Sequence, residues 1–136
     1  MVPMAREGPL DKTVTGWEIY PVGLHHFLTA TARDFTGELP LYVTENGIVA
    51  PDTTLRACRI EDTARIAYLA RHLGACRAAI AEGVPLKGDF CWSLPDNYEW
   101  ILGYDARFCL VHVDYDSLRR TPKASYHTLA AALERP

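Results

Sequence analysis

Apolar residues recur at helical spacing in three separate stretches of the chain, and two short apolar runs lie between them. Leu24, Phe27, Leu28 and Thr31 share one side of the first stretch. Pro21 suits its first turn and Gly37 marks its end, which predicts a helix from Pro21 to about Phe35. The clearest pattern is the stripe of Ile66, Leu69, Ala70, Leu73, Cys76, Ala79 and Ile80. It predicts a helix over Glu61–Ala81, with Gly83 placed to terminate it. Tyr126, Leu129, Ala130 and Leu133 repeat the spacing behind Thr121-Pro122 and predict a last helix, about Lys123–Leu133, with those residues on its inner face. Leu41–Thr44 reads as a short buried strand closed by the Asn46-Gly47 turn signal, and Leu86–Trp92 as a second strand. Residues 48–59 carry a Pro51-Asp52 signal and no period, which predicts a loop. Leu110–Asp114 alternates weakly and reads as a short extended piece. Residues 1–15 are small, polar and proline-rich, the pattern of a loop or frayed terminus, which leaves 16–136 as the folded part.

The order helix, strand, helix, strand, helix implies parallel strands joined by a helical crossover in an α/β fold. Two parallel strands do not make a finished sheet. Such sheets are covered on both faces, and two βα units leave their edges unpaired. The pattern therefore belongs to a larger sheet or barrel. With 136 residues, 49% of them hydrophobic, the chain has material for a core. A net charge of −3 with mixed signs offers no basic stripe for nucleic acid. No run approaches the ~18 apolar residues of a membrane span. The opening MVPMAREGPLDKT has no signal-peptide core, and Cys58, Cys76, Cys91 and Cys109 are scattered without paired spacing, so a reduced, cytoplasmic protein is expected. His72 and Cys76 stand four apart as ligands can, but with no second pair nearby they read as packing residues.

Chemistry concentrates behind the two strands. Glu45 ends the first, where a carboxylate either is catalytic or simply begins a loop. The second leads through Trp92 into a loop offering Asp96, Asn97, Tyr98, Glu99, Trp100, Tyr104 and Phe108. Rings beside carboxylates and amides suit a sugar, whose C–H faces pack on aromatic surfaces while its hydroxyls donate to carboxylates. The same tryptophans and phenylalanine also serve to fill a core.

LPLYVTENG, RIAYLARHLGACRAAIAEGVPLKG, FCWSLPDNYEWILGYDARF and VDYDSLRRTPKAS, with GWEIYPVGL ahead of them, together resemble the C-terminal part of glycoside hydrolase family 1 over residues 16–128. These are β-glucosidases, β-galactosidases and 6-phospho-β-glycosidases on a (β/α)8 barrel. The resemblance implies an α/β fold that is a C-terminal fragment of that TIM barrel, the last two βα units plus the preceding helix. It also implies retaining hydrolysis of a terminal β-linked sugar. Glu45 in TENG matches the family's catalytic nucleophile, with Asn46 and Gly47 as the turn presenting it. Trp92 matches the floor of the sugar site, Glu99 a carboxylate that binds sugar hydroxyls, Trp100 its aromatic neighbour, and Phe108 an aromatic bordering the site. Glu99 followed by Trp100 is similar to the enzymes of unphosphorylated sugars. No metal or organic cofactor is implied, and the expected partner is a β-glycoside or small oligosaccharide.

The chain also departs from the family. Members are much longer, and the part without a counterpart here holds the Asn-Glu-Pro motif whose glutamate is the general acid/base. Pro95, Asp89 and Cys109 replace a bulky apolar residue, an aromatic and a glycine. Asp89 places a charge in a barrel strand, which is costly if buried and unpaired. Three readings of the isolated chain follow: an inactive remnant, a module that pairs its open sheet edge with itself or another chain, and a piece that works when a complementary N-terminal fragment joins it.

Overall fold

The computed structural model describes residues 8–50, 52, 55–56 and 59–134. They form two compact units, one built from the residues up to Asn46 together with Leu69–Cys91, the other from Gly47–Tyr68 together with the residues from Trp92 onward.

In the first unit helix α1 runs Pro21–Thr31, with proline in its first turn as the sequence predicts. It continues as a single π-turn, Ala32–Thr36, and stops where Gly37 adopts φ 57° and returns its N–H to the Ala32 carbonyl. Leu24, Leu28 and Ala32, four residues apart, form its inner edge. Phe27 lies off that line and is 67% exposed, contrary to the predicted stripe. Strand β1, Leu41–Asn46, is two residues longer than expected and includes Glu45. Helix α2, Thr63–Ala81, belongs to the second unit as far as Tyr68 and to the first from Leu69, and it carries the chain to strand β4, Leu86–Cys91, after Gly83 turns it at φ 94°. β4 pairs with β1 in parallel, as the crossover demands: Leu41 opposes Leu86, Tyr42 Gly88, Val43 Asp89 and Asn46 Cys91, with irregularities after Leu41 and after Val43. One face of this pair, through Leu41, Val43 and Leu86, packs with Leu28, Cys76, Ala79 and Val84 into a core. The other face carries Tyr42 and Phe90, rings 6.5 Å apart and both more than half exposed.

The buried face of α2 differs from the apolar stripe. Arg65, Leu69, His72, Cys76 and Ala79 are buried, whereas Ala70 and Ile80 are exposed and Ile66 and Leu73 are only half-buried. The helix is turned so that two polar residues enter. Periodicity locates a helix; the partners waiting for Arg65 and His72 decide which side faces in.

In the second unit a short antiparallel pair, β2 (Leu55–Arg56) and β3 (Arg59–Ile60), stands where a loop was expected. Two-residue strands are too short to show alternation. The extended piece is strand β5, Val111–Val113, and it has an antiparallel partner the sequence did not announce, β6, Arg120–Pro122. Pro122 can sit there because it lies at the end of an edge strand. Helix α3, Ala124–Leu133, begins one residue later than predicted. Its inner side is not the apolar set: Ser125 is buried, Tyr126, Leu129 and Ala130 are half-buried and Leu133 is 77% exposed. The helix is anchored by its first turn, where Ser125 donates its N–H and its hydroxyl to Asp62. The expected terminus falls partly on residues 1–7, outside the described residues. Residues 8–15 are irregular, with Lys12 bridging to Glu18.

Candidate active site

Glu45 occupies the next-to-last position of β1 and is exposed. Its neighbour Asn46 is buried and donates Nδ2 to Asp89 Oδ2 at 2.9 Å. The Cys76 thiol approaches the same oxygen at 3.7 Å. Asp89 is therefore not the unpaired charge that its place in a strand threatened. Burial still pushes its carboxyl above the ordinary range, against the pull of Asn46, Cys76 and the nearby His72. Burial also pushes the Cys76 thiol up to about 11, with Asp89 adding to it.

The second unit opens with the glycine of the turn. A Cβ on Gly47 would lie 2.1 Å from the Trp92 carbonyl oxygen, so the chain can pass here only without a side chain. Trp92 packs against an apolar cluster of Val49, Ala106, Phe108 and Cys109, and its peptide bond to Ser93 is cis. Phe108 is buried within that cluster. Glu99 is half-buried at the start of a single 3-10 turn, Trp100–Leu102. Its N–H donates to the Gly103 carbonyl at 2.8 Å, and its own carbonyl accepts from Leu102. Asn97 Nδ2 donates to Glu99 Oε2 at 3.1 Å. Trp100 is 78% exposed and sits at φ 45°, a left-handed conformation unusual for a bulky residue. Tyr98 meets Tyr104 edge to face and Tyr104 meets Tyr115 at a tilt, with the Arg107 guanidinium 4.4 Å from the Tyr115 ring centre.

Asp96 has a different role from the one its place in the aromatic loop suggested. Its carboxylate is fully buried and accepts from Lys123 Nζ at 3.1 Å and Arg107 Nη1 at 2.8 Å, and from the Val113 N–H. It is the next-to-last member of a chain of charges, Asp62, Arg65, Asp52, Lys123, Asp96 and Arg107, with only the Arg107 end part-exposed. Arg65 also donates to the Phe108 and Arg107 carbonyls at 3.1 and 2.6 Å, so it holds the far end of the aromatic loop. Bonded partners in this chain lie as much as 71 positions apart in sequence. The one available signal was an arginine and a lysine bordering apolar runs with aspartates nearby.

Among the described residues, Glu45 thus belongs to the first unit, and Trp92, Glu99, Trp100 and Phe108 belong to the second. Trp92 and Phe108 share a cluster, and Glu99 and Trp100 share a turn. No group of three or more His, Cys, Asp or Glu among them is arranged to hold a metal ion, and no helix is long and apolar enough to cross a membrane.

The profile of glycosyl hydrolase family 1 matches residues 3–135. Beta-glucosidase A of Thermotoga maritima is 44% identical over 119 residues, which are 88% of this chain and 26% of that enzyme. A 6-phospho-beta-galactosidase of Streptococcus equi subsp. zooepidemicus is 42% identical over 125 residues, 90% of this chain and 26% of its own length. Among solved structures, the family 1 β-glucosidase from Thermotoga maritima in complex with isofagomine lactam superposes with a TM-score of 0.90 at 41% identity, over 94% of this chain and 29% of that one. The chain spans about a quarter of the length of these relatives, and its parallel pair with a helical crossover corresponds to a C-terminal portion of their barrel. With its strands, its crossover and its family profile in agreement, the chain belongs to glycosyl hydrolase family 1.

Proposed function

We infer that this chain supplies the nucleophile and part of the sugar site of a retaining β-glycosidase. The observation that carries this is Glu45: an exposed carboxylate at the carboxyl end of a parallel barrel strand, where such folds hold their chemistry. The Glu45 carboxylate attacks the anomeric carbon, and the bond to the leaving oxygen breaks as that oxygen takes a proton from a general acid. Water then attacks the glycosyl-enzyme ester, releasing the sugar with retained configuration and freeing Glu45. The acid is a second carboxyl from the part of the barrel outside this chain. Trp92 and Trp100 supply apolar surface to the sugar, Phe108 backs Trp92 from within its buried cluster, and Glu99 accepts from the sugar hydroxyls. A carboxylate at that position repels a phosphate, which favours an unphosphorylated terminal sugar, although both kinds of enzyme are among the relatives.

A fluorosugar with a dinitrophenolate leaving group tests Glu45 without the missing acid, because that leaving group departs unprotonated. Incubation with 2,4-dinitrophenyl 2-deoxy-2-fluoro-β-glucoside should place the fluoroglucosyl group on the peptide bearing Glu45. Labelling that persists in Glu45→Gln, or that falls on another peptide, overturns the assignment.

The exposed face of Tyr42 and Phe90 supports a partner as well: further parallel strands of the same barrel, carried by a complementary N-terminal polypeptide. Adding such a polypeptide, bearing the Asn-Glu-Pro glutamate, should raise turnover of nitrophenyl glucoside far above that of this chain alone. Activity that is ordinary without it counts against the need for a partner, and concentration-dependent dimers of the chain alone would identify a second copy as the occupant. The scattered thiols support the cytoplasm as the compartment.

A further inference from the structure

Asn97 sits between a buried thiol and the Glu99 carboxylate, and each end of its amide meets different chemistry. Its Oδ1 accepts from Ser93 Oγ and from Cys109 Sγ, at 3.3 Å in each case. Its Nδ2 donates to Glu99 Oε2 at 3.1 Å. The two ends of a carboxamide are told apart only by such partners. Turned over, the amide would set its oxygen against a carboxylate oxygen, two acceptors with no hydrogen between them. On the other side both groups have a hydrogen to give. Cys109 is fully buried, and burial pushes its thiol above the ordinary value, so the S–H is intact at neutral pH. Ser93 Oγ also lies 2.8 Å from the same sulfur, and with one hydrogen on each, whichever of the two donates across that contact leaves the other's hydrogen for the amide oxygen. The main chain is held as well, with Tyr115 donating its hydroxyl to the Asn97 carbonyl at 3.2 Å.

We propose that Cys109 and Ser93 lock the Asn97 amide with its nitrogen toward Glu99, making Asn97 the positioning residue that sets the direction from which the Glu99 carboxylate accepts a sugar hydroxyl. The contact to sugar rests on the reading of Glu99 given above; the lock itself does not. The arrangement assigns Cys109 a role that packing alone would not require. Any residue of its size fills the space, but only a donor holds the amide oxygen. A serine satisfies that requirement and an alanine does not.

The full 15N-labelled chain reports the lock through the side-chain NH2 signals of Asn97. Their exchange with water should be about tenfold slower than that of an exposed asparagine, as expected for a donor held by a charged acceptor. Cys109→Ala and Ser93→Ala should each remove most of this protection, and Cys109→Ser should keep it. Ser93→Ala leaves the buried cluster intact, so the result does not hang on the folding of the Cys109 variants. A second arm follows the Trp100 indole N–H during titration with D-glucose, where Asn97→Ala should weaken binding about tenfold and Cys109→Ser should not. Exchange at Asn97 that is indifferent to both alanine variants overturns the proposal. Protection that responds as expected in a chain whose Trp100 signal ignores D-glucose upholds the lock and overturns the sugar reading of Glu99.

Discussion

At Gly47, in the turn after the proposed nucleophile, and at Asp89, bonded to Asn46 of that turn, the chain meets opposite constraints. Gly47 is fixed by space: a methyl group there would overlap the Trp92 carbonyl oxygen. Gly47→Ala should therefore lower stability by about 1–3 kcal/mol, as overpacking does, read from the urea midpoint. Asp89 is fixed by charge. A carboxyl raised by burial favours the fold fully while protonated, below its unfolded value near 3.8, and that contribution is lost as pH rises through the folded value. Asp89→Asn keeps an acceptor for Asn46 and carries no charge. Its urea midpoint should match the parent in acid and exceed it at neutral pH, with the gap opening between 3.8 and the raised value. A gap that is constant with pH would show that Asp89 is not titrating in that window. The place of Glu45 at the end of a strand was legible at this scale, because β-branched residues before a carboxylate and Asn-Gly are a local pattern, while the role proposed for it came from the family resemblance. The bond from Asn97 to Glu99, and the burial of Asp96, were not legible. The aromatic loop's sequence says which groups are present, while Lys123 and Arg107 decide which of them are consumed.

Among the elements, α2 shows what periodicity does and does not carry. Its extent was readable to within two residues, yet its buried line passes through Arg65 and His72 in place of Ile66 and Leu73. An arginine enters a core when carboxylates and carbonyls are already there to receive it; the carboxylates of Asp62 and Asp52 lie near Arg65 in the chain, but the Arg107 and Phe108 carbonyls come from far away. Two substitutions separate the faces. Leu69→Ala should cost about 2–5 kcal/mol, whereas Ile80→Lys should change stability by no more than about 0.5 kcal/mol. The ionic chain also links elements: Lys123, at the start of α3, is fully buried between Asp52 and Asp96. Lys123→Met leaves two buried carboxylates short of a partner and should cost about 3–5 kcal/mol, with urea unfolding again the measurement. Strands β2 and β3 stayed unread because two residues give alternation no room, and β6 because its pairing is set by its partner rather than by its own sequence.

For the whole molecule, the strand and helix order sufficed to say that two parallel strands do not complete a sheet, and the 0.90 superposition on a barrel enzyme covering 29% of it agrees. On the reading proposed above, the exposed pair of rings is the face that further strands would cover. Tyr42→Lys combined with Phe90→Lys should reduce any association seen by sedimentation at high concentration, and should abolish rescue by a complementary polypeptide, because charges then face a packed interior.

Cys76 and Cys109 lie one in each compact unit, both buried. With the other two cysteines replaced, each remaining thiol becomes a clock for its own unit. An alkylating reagent reacts with thiolate, and Cys76, held near 11, offers almost none until the fold around it opens. The rate at which iodoacetamide captures each sulfur then measures how often each unit opens. Equal rates mean that the two units come apart in one event, and unequal rates rank them, with no need for a substrate or a finished barrel.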